Sequence, residues 1–135
     1  MIARLFAIVL FTLSLGACAE PPYANVDNGK LKELLAQGMP LYDIRRAEEW
    51  SQTGVVEGSR KLTFVDAAGQ VNPEFLPHFT AEVGKNEPVI LICRTGNRTD
   101  ALARHLVERL GYTQVYNVQN GITRWVSEGN PVVRQ

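Results

Sequence analysis

Cysteine is scarce in this chain: Cys18 and Cys93 are the only two among 135 residues, too few for the disulfide framework that staples many small exported domains. Histidine is as rare, and both His78 and His105 fall outside the short segment that follows Cys93. The clustered ligands of a metal site are missing, so no metal and no cofactor is expected. Net charge is missing too, with fourteen Lys+Arg against fourteen Asp+Glu and no block of like charge. That removes the basic surface on which nucleic-acid binding rests, and no nucleic-acid partner is expected. No apolar run reaches the roughly 18 residues of a membrane-spanning helix. Repeats and low-complexity stretches are likewise missing. What remains is 45% hydrophobic and 21% charged residues, the composition of one domain able to bury a real core.

The opening segment "MIARLFAIVLFTLSLGACAE" differs from the rest. Arg4 is the sole charge ahead of a mainly apolar stretch from Leu5 to Leu15, closed by small residues, which reads as a secretion signal. Leu15-Gly16-Ala17-Cys18 resembles the lipobox of bacterial lipoproteins. The resemblance implies a signal peptide over residues 1–17 and a lipid on Cys18, which becomes the new N-terminus; the alternative is an ordinary secretory signal cleaved near Ala19. Alanine rather than aspartate after Cys18 points to an outer-membrane anchor facing the periplasm. Residues 18–28, with a Pro-Pro pair and few apolar side chains, read as a tether, leaving 29–135 as the domain. A lipid on Cys18 leaves Cys93 without a partner in its own chain.

From Gly29 onward strand-like and helix-like segments alternate, as in an α/β domain. "KLKELLAQG" has leucines at helical spacing and stops on Gly38; "MPLYDI" reads as a buried strand; "RRAEEWSQ" reads as a short helix and "RKLTFV" as a short strand. Asn-Pro at 72 and 73 suits the cap and first turn of a helix running to Gly84. "PVILIC" is apolar at every position, as a central strand of a parallel sheet must be. "TDALARHLVERLG" places Leu102, Leu106 and Leu110 four apart and ends on Gly111; a strand "QVYNV" and a helix "GITRWVSEG" follow.

Cys93 therefore stands at the carboxyl end of a central strand, where open parallel sheets collect ligands. Five residues, "RTGNR", lead from it to a helix beginning near Thr99. N–H groups of such a loop converge and, with the helix N-terminus, cradle negative charge; Gly96 permits the positive φ the turn needs. Convergent N–H groups and neighbouring guanidinium groups favour an anionic sulfur, which is the nucleophilic form. Arg94 and Arg98 would attract and orient an anionic donor, and Thr95, Gly96 and Asn97 act through backbone shape and N–H groups. Which arginine faces the pocket is left open by the sequence. Cys-dependent tyrosine phosphatases place five residues between Cys and Arg, usually with His before the Cys. Here Arg98 follows Cys93 after four residues, Thr99 takes the phosphatase arginine position and Ile92 that of the histidine. A shorter cradle suits a smaller target than a phosphoryl group, and sulfane sulfur is the natural candidate.

"CRTGNR" resembles the active-site loop of the rhodanese family, the thiosulfate and persulfide sulfurtransferases. "LYDIRRAEEWSQTGVVEGS" and "GYTQVYNVQNGITRWVSEGNPV" are similar to the family's early Asp-x-Arg, Glu-Phe/Trp and Gly-His-Ile segment and to its closing Gly-Gly-x-x-x-Trp, Gly-x-Pro-Val segment. Val55 departs from that histidine and Asn120 from the first glycine of the closing pair. The resemblance implies a small five-stranded, mostly parallel sheet flanked by helices. It also implies exchange through a Cys93 persulfide, with a small anionic sulfur donor such as thiosulfate and a thiol or cyanide as acceptor. Asp43 and Arg45, matching Asp-x-Arg, are expected to support the loop by ion pairing, and Thr99 or Asn97 to cap the helix after it. Rival readings are a non-enzymatic rhodanese-fold binding or sulfur-carrier module and, further off, a Cys-dependent phosphatase or arsenate reductase. His78 and His105 read as surface or boundary residues, Trp50 and Trp125 as core anchors.

Overall fold

The computed structural model describes residues 19–134; the signal segment and the lipidation expected at Cys18 lie outside them. Strands and helices alternate as β1 Ala24–Val26, α1 Asn28–Ala36, β2 Leu41–Asp43, α2 Ala47–Thr53, β3 Arg60–Lys61, α3 Phe75–Glu82, β4 Val89–Ile92, α4 Asn97–Glu108, β5 Val115–Val118 and α5 Gly121–Ser127. One sheet results, ordered β1-β5-β4-β2-β3, with each neighbouring pair parallel.

The apolar run of β4 makes it central, because side chains of a strand alternate between faces and here each face is covered by helices. Val89, Leu91 and Cys93 enter one cluster with Phe75 and Phe79 of α3 and Leu102, Ala103 and Leu106 of α4. Ile90 and Ile92 enter the opposite cluster with Leu31 and Leu34 of α1 and Ile122 and Trp125 of α5. Each such Leu, Ile or Phe contributes about 1.5–3 kcal/mol on burial, so the two clusters hold three layers together. Local signals set the helix ends. Asp27 accepts the Lys30 N–H at 2.7 Å at the start of α1, and Gly38 and Gly111 follow α1 and α4 at φ +80° and +76°, where glycine avoids the Cβ penalty.

The segment read as a tether is partly structural. Ala24–Val26 pairs with Tyr116–Val118 as the edge strand β1, and Asn28, 5% exposed, already belongs to α1. So short a strand, next to Pro-Pro and with one buried residue in three, carries no periodic signal. The short strand expected over 60–65 is confined to Arg60–Lys61. Asn72 is not the cap of α3, which begins at Phe75. Its carboxamide instead accepts the Glu74 N–H at 3.1 Å and donates to the Thr63 carbonyl at 3.1 Å, fastening the preceding loop. Pro77 sits in the first turn of α3, where its missing N–H costs nothing.

Candidate active site

Cys93 follows directly on β4 and is 1% exposed. The chain then turns through Arg94, Thr95 and Gly96 into α4. Gly96 adopts φ +104°, and this aims its N–H back at Cys93 Sγ, 3.1 Å away. The carbonyl of Gly96 takes the first intrahelical bond of α4, from the Asp100 N–H at 3.0 Å. The N–H groups of Arg94, Thr95, Asn97 and Arg98 have no acceptor among the described residues, as loop and first-turn donors do not. Together with the α4 dipole they make the neighbourhood of the sulfur favourable to negative charge. Thr95 and Asn97 are exposed and offer backbone rather than side chain. Thr99, fully buried, does not cap α4, and neither does the Asn97 side chain; Gly96 is the cap residue. The Thr99 hydroxyl lies 3.3 Å from Cys93 Sγ and 3.1 Å from the Gly96 carbonyl, to which it donates. Rotation of that O–H turns it into a donor to the sulfur. Six residues after the cysteine, the phosphatase arginine position thus holds a small buried hydroxyl.

A second helix clamps the same loop from the other side. The α5 N–H groups of Ile122 and Thr123 donate to the carbonyls of Cys93 and Arg94 at 2.9 and 3.1 Å. This close approach needs glycine: a Cβ on Gly121 would stand 2.4 Å from the Cys93 carbonyl oxygen and 2.5 Å from that of Arg94. Asn120, the departure from the closing Gly-Gly, has φ +63°. Asparagine is among the residues that best tolerate this left-handed conformation, so the turn keeps the same shape.

The two loop arginines have different surroundings. Arg98 donates both terminal nitrogens to Glu49 of α2, each at 2.7 Å, with the pair largely enclosed. Its charge is compensated, and the expectation that it orients an anionic donor is not matched by a free guanidinium. Arg94 is exposed and lines a cleft of about 270 Å³ beside the loop, with Glu49, Gln52 and Thr53 of α2 and Ile122, Thr123 and Val126 of α5 among its other walls. Below the loop, Asp43 and Arg45 are both fully buried. Arg45 donates Nε and Nη2 to the Asp43 carboxylate at 3.0 and 2.8 Å, Nη1 to Thr53 Oγ1 at 2.9 Å and Nη2 to the Gly54 carbonyl at 3.0 Å. Trp50 Nε1–H completes the carboxylate at 3.0 Å. The pair therefore ties the end of β2 to Trp50 and to the C-terminal end of α2, and α2 in turn presents Glu49 to Arg98.

Glu49 had a visible signal, the Glu-Trp pair in "RRAEEW", yet its partner is 49 residues away and no spacing reveals it. Its carboxylate also accepts the Arg46 N–H at 2.9 Å, closing the N-terminus of α2. The Arg98 hydrogen bonds, followed at a distance by that of Arg46 and against the effect of burial, hold the Glu49 carboxyl down at about 2. Arg98 is correspondingly raised by the same bonds. A depressed carboxyl stabilises the fold above its unfolded value of about 4.3 and loses that contribution as pH falls through its folded value. Denaturant midpoints followed from pH 6 to pH 2 should therefore fall more steeply for the wild type than for Glu49→Gln; parallel curves would show that the pair adds no pH-dependent stability.

The remaining readings are placed as follows. His78 is exposed and pairs with Glu82 at 3.2 Å, and His105 lines a separate apolar hollow with Phe64, Val71 and Leu76. Trp125 is a core anchor, 4% exposed, its N–H donating to the Pro131 carbonyl at 2.8 Å, whereas Trp50 is half-buried and serves Asp43. Val55, in place of a histidine, is buried and exchanges backbone hydrogen bonds with Val133 at 2.9 and 2.8 Å. No group of three or more His, Cys, Asp or Glu residues suited to a metal occurs among the described residues.

Comparison with known proteins matches this geometry. The Rhodanese-like domain family model covers residues 27–128. A protein described as a sulfurtransferase from Allochromatium vinosum is 28% identical over 81% of this chain and 94% of its own. Thiosulfate sulfurtransferase GlpE of Pseudoalteromonas translucida is 28% identical over 76% of this chain and 89% of its own. The polysulfide-sulfur transferase of Wolinella succinogenes superposes with a TM-score of 0.66 at 20% identity, over 84% of this chain and 80% of that one, a likeness of fold. By the family model, by relatives named as sulfurtransferases and by the five-stranded parallel sheet with its cysteine loop, the chain belongs to the rhodanese-like domain family.

Proposed function

We propose that the protein is a sulfurtransferase that carries sulfane sulfur as a Cys93 persulfide, with thiosulfate as a donor and a thiol or cyanide as acceptor. The observation that carries this reading is the Gly96 N–H directed at Cys93 Sγ, in a loop one residue shorter than the phosphatase cradle. Cys93 thiolate attacks the outer sulfur of thiosulfate; a new S–S bond forms, the old one breaks, and its electron pair leaves with sulfite. Charge on the persulfide then faces the loop N–H groups and the Thr99 hydroxyl, as an oxyanion faces its donors. The acceptor anion attacks the terminal sulfur and Cys93 thiolate is restored, with no net oxidation. Arg94, at the cleft, draws the anionic donor in, while Arg98 and Glu49 hold α4 and α2 together around the loop.

Mass spectrometry of the domain treated with thiosulfate tests this. The mass rises by one sulfur atom, and cyanide removes it as thiocyanate. A domain that takes up no sulfur and yields no thiocyanate would exclude the enzyme reading.

We also propose that Cys18 is lipidated and holds the domain on the periplasmic side of the outer membrane, on the strength of the lipobox-like residues 15–18. Expressed from the full chain in a two-membrane bacterium, the protein should sediment with outer membranes and Cys18→Ser should not; wild-type protein in the soluble fraction would end the proposal.

A further inference from the structure

The first turn of α4 carries the Gly96 N–H that meets Cys93 Sγ and, three residues on, the Thr99 hydroxyl beside it. From the α2 side Glu49 holds this turn through Arg98. Its other side is held by the chain ahead of the family's span. Tyr23 precedes β1 and stands outside residues 27–128; its hydroxyl donates to the Asp100 carboxylate, and the Asp100 N–H is bonded to the Gly96 carbonyl at 3.0 Å. Arg104 reinforces the contact, donating Nε to the same Asp100 oxygen at 3.0 Å with its guanidinium 5.9 Å from the centre of the Tyr23 ring. Two residues along, Asn25 Oδ1 accepts Asn117 Nδ2 at 3.0 Å across the β1–β5 register. Asn117 is 4% exposed and lies against the catalytic turn: a Cβ placed on Gly96 would stand 3.9 Å from Asn117 Nδ2. Its Oδ1 is buried with no hydrogen-bond partner among the described residues. A buried unpartnered oxygen lowers stability, which an apolar side chain there would not do, and such departures from local consistency gather at working sites.

We propose that Tyr23 and Asn117 are positioning residues for sulfur transfer: the Tyr23–Asp100 bond and the Asn25–Asn117 pair brace the first turn of α4 from the β1 side and keep the Gly96 N–H on Cys93 Sγ. The inference rests on the sulfur-transfer reading and adds to it residues that touch neither the sulfur nor the donor. N–H groups stabilise a sulfur anion best when they are fixed before it forms, and a turn released from one wall holds its N–H less closely. The N-terminal strand is thereby part of the support of the active site, although the family's span begins after it.

Two measurements on the full chain test this, with Tyr23→Phe, Asn117→Leu and Asp100→Ala. Hydrogen exchange of the Gly96 amide, followed by NMR, should quicken about fivefold in Tyr23→Phe, the effect of losing one hydrogen bond, and about tenfold in Asn117→Leu, where the group packed on the turn itself changes. In single-turnover sulfur uptake from thiosulfate the limiting rate should fall by similar factors while the half-saturating concentration holds, because Arg94 is untouched. Tyr23→Phe combined with Asp100→Ala should be no slower than the slower of the two alone, since both act through one bond. Urea midpoints separate positioning from folding: Asn117→Leu should match or exceed wild type, having lost a buried unpartnered oxygen. If Asn117→Leu does not fold, Tyr23→Phe carries the test alone. Wild-type exchange and limiting rate in a folded Tyr23→Phe or Asn117→Leu would overturn the inference and leave sulfur transfer standing, as would a change confined to half-saturation or additive effects with Asp100→Ala. A wild type that takes up no sulfur would instead sink the sulfur-transfer reading, and the Gly96 amide would then decide the inference by itself.

Discussion

Cys93→Ser is expected to lower thiocyanate formation by roughly a thousandfold or more, because a serine hydroxyl is neither ionised at neutral pH nor able to hold a sulfane sulfur. Stability should change little. The side chain is 1% exposed and serine differs from it by one atom, and the Gly96 N–H and Thr99 hydroxyl that now meet sulfur can meet oxygen. Mass spectrometry after thiosulfate treatment, beside a thermal melt, separates the two effects. A serine variant that still gained a sulfur atom would place the sulfur on another residue.

The second large effect lies beneath the site. Asp43→Ala leaves the Arg45 guanidinium fully buried with its counter-ion gone, and loss of one member of a buried pair costs about 3–5 kcal/mol. The Trp50 N–H loses its acceptor as well. Against a total of about 5–15 kcal/mol for a domain, the variant should be strongly destabilised in urea titration. The companion Asp43→Val, Arg45→Met should recover much of that loss, since it removes both charges and refills the volume. Recovery in stability without recovery of activity would mean that Arg45, through Thr53 and Gly54, also orients α2 and hence Glu49 toward Arg98. If Asp43→Ala alone cost less than about 1 kcal/mol, the pair would not be the support assigned to it.

These residues show where sequence and structure part. β4 was legible because an unbroken "VILIC" can be buried on both faces only as a central strand, and α4 because Leu102 and Leu106 repeat at helical spacing. β1 was not, since three residues with a single buried side chain give no period, and what makes them a strand is hydrogen bonding to Tyr116, Asn117 and Val118, more than ninety residues away. Thr99 illustrates the same limit at the site. Its place at the expected start of the following helix suggests a helix cap, but the cap falls on Gly96 and the buried hydroxyl faces sulfur. Arg98 is expected from sequence to orient an anionic donor and Glu49 stands there without a partner; only the fold makes them a bidentate pair.

By itself the sequence determined the chemistry: a cysteine at the end of an apolar strand, a loop of fixed length with Gly96 and two arginines, and a helix to supply its dipole. Those features are local, fixed by neighbours within a few residues, and local order survives in the written chain. Only the tertiary structure decided how the charges are shared. Glu49 takes Arg98, Asp43 takes Arg45, Gly121 lets α5 grip the carbonyls of Cys93 and Arg94, and Arg94, in no ion pair among the described residues, lines the cleft. Such pairings depend on distances across layers that sequence separation does not encode, and in a partly dry interior they set which charge is compensated and which remains to meet a substrate.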